Sequence, residues 1–345
     1  MGVQRALTRE ITFLPSGRVC DIETNETVLA ACLRAGLTPV YGCSNGNCGS
    51  CKARLTSGDI DQVRHHDFVL TSPEKMEGYF LMCANRALTD IDVEADVTQS
   101  PDDIPVQDIE TKVKSVEYLD PQVVKLHLQT PRSRRLRFIS GQSVMLTIGD
   151  DIQTSMPIAS CPCDDRNLHF HIPDIPGDAF SEKVFSGQLA PRDRVQLHGP
   201  KTGNFYLDHK DERHSLILCW HIGFAPIVSL MEHAMSLDIE RGLYLHRFSP
   251  TPDRQYLSNL CRSWSDAYEN IHTELVADRV TLLSTVEECT QVLARVASRY
   301  PDLSNFNIYV AGPPNFVEAA ESVFSGLGLT AEEIKTHVDW LGVLE

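Results

Sequence analysis

The chain has 345 residues, 42% hydrophobic and 23% charged, the balance of a globular protein with apolar material for two or three cores. A formal charge of −16 argues against a nucleic-acid or anionic-membrane surface, because phosphate selects an excess of Lys and Arg, and permits docking to a basic protein face. No apolar run approaches the about eighteen residues that span a bilayer, and "MGVQRALTREITF" lacks the apolar stretch of a secretory signal. The expectation is a cytoplasmic, reducing compartment, where eleven cysteines serve as metal ligands and small core residues rather than disulfides.

In chain order, "EITFLPSGRVCDI" predicts two short strands around a Ser16-Gly17 turn. "TNETVLAACLRAGL" predicts a helix, with Val28, Leu29, Cys32 and Leu33 at helical spacing and Gly36 as its stop. A cysteine-rich loop, "KARLTSGDI" and the alternating strand "DIDVEAD" complete a small α+β unit over 1–97. The acidic, proline-bearing stretch at 98–107 reads as a linker. Alternation at Val124, Leu126, Leu128; Val144, Leu146, Ile148; Leu168, Phe170, Ile172; and Val195, Leu197 predicts an antiparallel sheet or barrel over 108–209. From 210 to 345 the period changes. "SLILC" and "NIYVA" are continuous apolar runs, each followed by a loop and a helical pattern, the signature of a parallel α/β unit.

Cys43, Cys48 and Cys51 form C-x4-C-x2-C, and 31 residues separate Cys51 from Cys83. Four thiolates, three of them on one loop, suit a binuclear iron cluster, and glycines in the loop allow its amides to turn toward sulfur. A zinc site or unrelated core cysteines are the alternatives; zinc favours paired C-x2-C knuckles or added histidines, and Cys83 stands alone. The spacing is that of the plant-type [2Fe–2S] ferredoxins, and the first hundred residues resemble that family, which implies a β-grasp fold and a one-electron carrier. Lys52 and Arg54 read as solvated flank. Cys20, Cys32, Cys219, Cys261 and Cys289 read as small apolar residues, and Cys161-Pro-Cys163 as packing, with a redox or metal role as the alternative.

The pieces "FISGQSVMLTI", "SMPIASCP", "GDAFS", "VQLHGPKTGNFYL", "IGFAPIVSLM" and "YVAGPPNFVEAA" occur in the order of the ferredoxin–NADP reductase superfamily. With the N-terminal domain attached, the chain resembles the flavin/iron–sulfur reductases that include oxygenase reductase components and deoxyhexulose dehydrase reductases. That resemblance implies an antiparallel β-barrel flavin-type domain and a doubly wound parallel α/β nucleotide-type domain. It implies FAD at Ser155, Met156, Pro157, Ile158, Ala159 and Ser160 and at Gly177, Phe180 and Ser181. It implies NAD(P)H at His221, Gly223, Ala225, Pro226, Gly312 and Pro313.

The chain departs from the family at both sites. Thr154-Ser155-Met156-Pro157 stands where the family has R-x-Y-S, so a phosphate-pairing cation, a stacking ring and a hydroxyl are absent together. Trp220-His221-Ile222-Gly223-Phe224-Ala225-Pro226 stands where it has G-G-T-G-x-A-P. Gly177–Ser181 is expected to face an anion through backbone amides. Trp340 is a candidate for the family's terminal aromatic, and Arg247 stands where a 2′-phosphate would be met. His169 and His171, two apart on one strand face, read as a solvated or core-capping pair rather than ligands; His221 is as readily a space-filling residue as a binding one. Two functions follow. One is an enzyme passing electrons from NAD(P)H through FAD to the cluster and on to a protein acceptor such as an oxygenase component. The other is a flavin-poor electron-transfer or docking subunit whose cluster is reduced by another protein.

Overall fold

The computed structural model describes residues 9–41, 44–65, 69–98, 104–132, 134–201, 203–208, 211–251 and 255–338. It divides into two compact units: Met1–Ile109 with Thr130–Ile139, and Glu110–Gln129 with Ser140–Glu345.

The first unit is a mixed five-stranded sheet with a helix packed on it. Arg9–Leu14 pairs antiparallel with Arg18–Ile22 and parallel with Ile91–Glu94. Lys52–Ser57 lies between Ile91–Glu94 and Tyr79–Leu81. The helix Val28–Arg34 starts at Thr27, whose side chain accepts from the Ala30 amide, and buries Val28, Leu29, Ala31 and Cys32 against Ile11, Phe13 and Ile22. This is the expected β-grasp arrangement. Thr130–Ile139, assigned from the sequence to the second domain, groups here instead. Buried Arg137 donates from Nη2 to the Thr38 carbonyl at 2.8 Å, and the Gln107 side chain bonds both the amide and the carbonyl of Arg137. A charged, aperiodic segment carries no alternation to announce that it is anchored through one guanidinium.

The second unit holds two sheets. In the first, an antiparallel half-barrel, the strand order is Ile152–Pro157, Ser143–Ile148, Arg194–Gly199, Gln107–Asp120, Val123–Gln129, Asn167–Pro173. The alternating residues seen in the sequence are its inner face: Val124, Leu126, Leu128, Val144, Leu146, Leu168, Phe170, Val195 and Leu197 are all buried.

The second sheet is parallel throughout, in the order Ile271–Arg279, Leu243–Ser249, His214–Trp220, Phe306–Gly312, Ile334–Val338. Its central strands are apolar on both sides because helices cover both sides. Leu216, Leu218 and Trp220 pack with Leu293 and Phe316 from the helices Val286–Ala297 and Pro314–Gly326. Ile217 and Cys219 pack with Phe224 and Met231 from Phe224–Ser236, and with Trp264 from Ser258–Ala267. The order reverses between His214–Trp220 and Phe306–Gly312, so the loops after these two strands open at a topological switch point, where doubly wound sheets bind ligands. Among the described residues no helix is long and apolar enough to cross a membrane.

Replacing Arg137 by Ala removes the donor to the Thr38 carbonyl and is expected to cost about 1–3 kcal/mol of stability. Chemical unfolding of the unaltered protein and the variant, followed by visible absorption from the first unit and by tryptophan fluorescence from the second, should show the first transition moving alone.

Candidate functional site

The cysteine loop is positioned by strand pairing. Cys51 immediately precedes Lys52–Ser57 and Cys83 follows Tyr79–Leu81, and these strands pair with Lys52 opposite Leu81. The Met82 amide extends the ladder to the Cys51 carbonyl at 3.0 Å, which places the Cys83 amide 3.5 Å from Cys51 Sγ. Two thiols far apart in sequence are thereby brought together and buried, with Cys51 and Cys83 at 2% and 1% exposure. The loop passes close beneath Val69: at Gly49, φ is +76° and a Cβ would meet Val69 Cγ1 at 3.0 Å, so a side chain there is both strained and crowded. Cys48 is half-buried and accepts from the Ser50 amide at 3.4 Å.

The Cys51–Cys83 pair holds one thiol ready to ionise. Cys51 keeps its proton, pushed up by its hydrogen bond to Cys83 and then by burial. Cys83 is pushed down to about 7, first by that hydrogen bond, against burial, with help from the Gly46 amide and the Arg64 guanidinium. Cationic and amide neighbours of this kind favour the thiolate, the form that binds iron. Among the described residues, no three His, Cys, Asp or Glu side chains converge on a single ion. A binuclear cluster spreads its ligands over two irons, and Cys43 lies outside the described residues. The flanking cations are solvated, as expected: Lys52 pairs with Glu74 at 2.5 Å and Arg54 with Glu94 at 3.3 Å.

In the half-barrel, Met156 and Thr154 lie across from Val144 and Leu146, and Met156 is buried. Ser155 points the other way and accepts from Lys201 Nζ at 2.9 Å. Together with Gln142, Asn204, Phe205 and His337 these two line a cavity of about 270 Å³. Of the six residues predicted from 155 to 160, Ser155 is the one in this cavity; Ile158, Ala159 and Ser160 are buried structural residues. Pro157 is half-buried opposite Ser143. The expected anion cradle at Gly177–Ser181 is different from the reading of the sequence. Asp178 caps the helix Ala179–Phe185 and accepts from the Ser181 amide at 2.7 Å. The Ser181 hydroxyl is spent on the Pro173 carbonyl and the Ile175 amide, both at 2.9 Å, and Phe180 is in the core.

At the switch point, His221 holds φ +40°, a conformation that glycine adopts without strain and histidine does not. Gly223, Ala225 and Pro226 are buried at the start of Phe224–Ser236. Gly312 faces Trp220: a Cβ there would come within 3.0 Å of Trp220 Cβ and 2.9 Å of Phe316 Cδ1. Pro313 caps the following helix without a side-chain bond. Arg247, expected to meet a 2′-phosphate, is buried at 1% exposure. Its guanidinium lies 3.6 Å over the Phe224 ring and donates to the Tyr256 carbonyl at 2.8 Å. Tyr256, which nothing in the sequence singled out, accepts or donates at 3.2 Å to His171 Nδ1 and lies 5.8 Å from the His221 ring. Side chains of this chain therefore fill the space behind the loop.

Residues 11–88 match the model of the 2Fe-2S iron-sulfur cluster binding domain. The chain carries a 2Fe-2S cluster-binding domain followed by a ferredoxin-reductase-like fold. It is 27% identical over 317 residues to the CDP-6-deoxy-L-threo-D-glycero-4-hexulose-3-dehydrase reductase of Yersinia pestis, covering 91% of this chain and 93% of the relative. It is 29% identical over 326 residues to the reductase component of propane 2-monooxygenase from Mycolicibacterium smegmatis, with 91% and 92% covered. An Amycolatopsis cytochrome P450 reductase has the same fold, with TM-score 0.58 at 23% identity over 96% of this chain and 98% of that one.

The thiols present fit a [2Fe–2S] centre: Cys51 and Cys83 are buried together and Cys48 is half-buried, with the Ser50 and Cys83 amides directed at sulfur. In the reductase-like fold, Ser155 and Lys201 line a polar cavity, and Asp178 accepts from the Ser181 amide. Cys219, Cys261 and Cys289 are buried core thiols, as read from the sequence. Trp340 lies outside the described residues.

Cys51→Ala and Cys83→Ala should each yield protein lacking the cluster, whereas Cys289→Ala should keep its full iron content, measured by iron and sulfide analysis beside visible absorption. His169 and His171 make a second prediction. Burial, then neighbouring His127 and His169 respectively, lowers them to about 4 and about 3. Both are neutral in the fold, so their contribution is complete above the ordinary histidine value and is lost as pH falls toward the folded values. Stability should drop by more than about 1 kcal/mol per histidine between pH 7 and pH 5. Denaturant midpoints across that range should flatten in His171→Gln.

Proposed function

We propose that this protein is an electron-transfer oxidoreductase passing electrons from NAD(P)H through FAD to its [2Fe–2S] cluster and on to a partner protein such as an oxygenase component. The observation that carries the reading is the buried Cys51–Cys83 pair in a chain matched over nine-tenths of its length by reductases of that kind. We place the ligands at Cys43, Cys48, Cys51 and Cys83, and the protein in a reducing, cytoplasmic compartment. A flavin, when bound, takes two electrons together and releases them singly. This chain's contribution is positional: Ser155 and Lys201 present a hydroxyl and a cation in one cavity, and His221, Gly223 and Gly312 shape the switch point. The acidic chain suits a basic face on its acceptor.

A second reading has its own support. Asp178 occupies the amide at the expected phosphate site, and Arg247, Phe224, Tyr256 and His171 pack the space behind the nucleotide loop. In that reading the reductase-like fold is a docking scaffold, and another reductase supplies the electrons.

Anaerobic purification, acid extraction of flavin, and titration with NADH and NADPH watched by cluster absorption separate the two. The proposed enzyme should carry FAD, or gain it on addition, and its cluster should bleach with one of the nucleotides. A cluster that stays oxidised with both nucleotides and added FAD, yet bleaches with dithionite, would leave the docking reading.

A further inference from the structure

Cys161 and Cys163, read from the sequence as packing thiols, are joined in a disulfide. Pro162 between them opens a short 3-10 turn, Pro162–Asp164, with Cys161 as its cap, and brings the two Cα atoms to 5.2 Å, well inside the range that a disulfide bridges. The two sulfurs are unlike. Cys161 is 5% exposed, whereas Cys163 lies on the surface. The other described cysteines are buried, apart from half-buried Cys48 in the cluster loop.

The surroundings of Cys161 come from the end of the helix that begins at the nucleotide loop. His233 Nδ1 is 3.7 Å and Ser236 Oγ 3.8 Å from Cys161 Sγ, and the Cys163 amide donates to the same sulfur at 3.2 Å. Glu232, its carboxyl pushed up by burial, accepts from the Cys161 amide at 3.2 Å. The buried sulfur thus has the Cys163 amide and the His233 ring within reach to receive charge if it leaves, Ser236's hydroxyl being given to the His233 carbonyl at 2.8 Å, with one carboxyl opposing them. The exposed sulfur is the one an external thiolate can reach.

We infer that Cys161-Pro-Cys163 is a thiol–disulfide exchange site, taking low-molecular-weight thiols and their disulfides as its co-reactants. In the reductive direction an incoming thiolate attacks Cys163 Sγ, the Cys161–Cys163 bond breaks, and Cys161 leaves as thiolate and takes a proton. A mixed disulfide remains on Cys163. A second thiol attacks the sulfur of the bound thiol, releases the small disulfide and frees Cys163. Two thiols become one disulfide, and two electrons and two protons pass to the protein. Oxidation is the reverse, with the small disulfide as oxidant. The site is tied to its neighbourhood through Ser229, on the same helix, whose hydroxyl donates to the Ser160 carbonyl at 2.7 Å.

The test uses the full-length, cluster-bearing protein in buffers of reduced and oxidised glutathione, with alkylation and mass spectrometry of the tryptic peptide 138–166, which holds these two cysteines and no others. The peptide should pass, in a single transition, from a form lacking two hydrogens to a doubly alkylated form as the reduced fraction rises. Cys161→Ser should accumulate one glutathione on Cys163, and Cys163→Ser should accumulate none, with tryptophan fluorescence from the second unit confirming that both variants fold. A peptide that stays doubly alkylated, or stays bridged, at every ratio overturns the inference. So does a Cys161→Ser protein without adduct, or an adduct on Cys161 in Cys163→Ser. The wild-type titration decides even where a variant fails to fold.

Discussion

The meeting of Cys51 and Cys83 is the contact on which the rest of this molecule turns. A chain can carry three cysteines on one loop by local spacing alone, but the fourth must arrive from elsewhere. It arrives because Lys52–Ser57 and Tyr79–Leu81 pair antiparallel, with the Met82 amide continuing the ladder one step further. Backbone hydrogen bonds are obligatory in a buried sheet, so the register of two strands becomes the position of two thiols. That register buries the two thiols together inside the stretch that matches a 2Fe-2S cluster-binding domain.

The second unit is built on the opposite relation between backbone and side chain. Its parallel sheet retains the strand order that opens a crevice beside His214–Trp220 and Phe306–Gly312. The loop there takes a left-handed step at His221. Behind the loop, a buried guanidinium rests on Phe224 and a tyrosine bonds His171, so the polar groups there are satisfied within the fold. In the half-barrel, the helix after Gly177 is capped by Asp178, which accepts from the Ser181 amide. Lys201, four residues before Phe205 in "GPKTGNFYL", brings a cation to Ser155 that the R-x-Y-S comparison could not anticipate, because it comes from another strand's end.

Much of the fold was legible because period reports burial. Alternation from Val124 to Leu197 marked the inner face of the half-barrel, and the unbroken runs "SLILC" and "NIYVA" marked strands covered on both sides. The segment Thr130–Ile139 was illegible, since its placement rests on Arg137 and the Thr38 carbonyl rather than on any repeat. The cysteine pair at 161 and 163 was half legible. Its spacing was noticed, but a proline turn that joins the sulfurs and a helix end that surrounds one of them are features of geometry.

By itself, then, the sequence determined the spacing of the four cysteines and the periodic faces of the strands, because these follow from covalent spacing and the hydrophobic period. Only the tertiary structure decided which groups are still open to a ligand. Asp178, Tyr256 and Arg247 are ordinary residues in one dimension, and whether each offers its polar atoms outward or satisfies them internally depends on neighbours many positions away. Burying a polar group without a partner costs free energy, so the fold completes those bonds wherever packing allows, and composition carries no record of that choice.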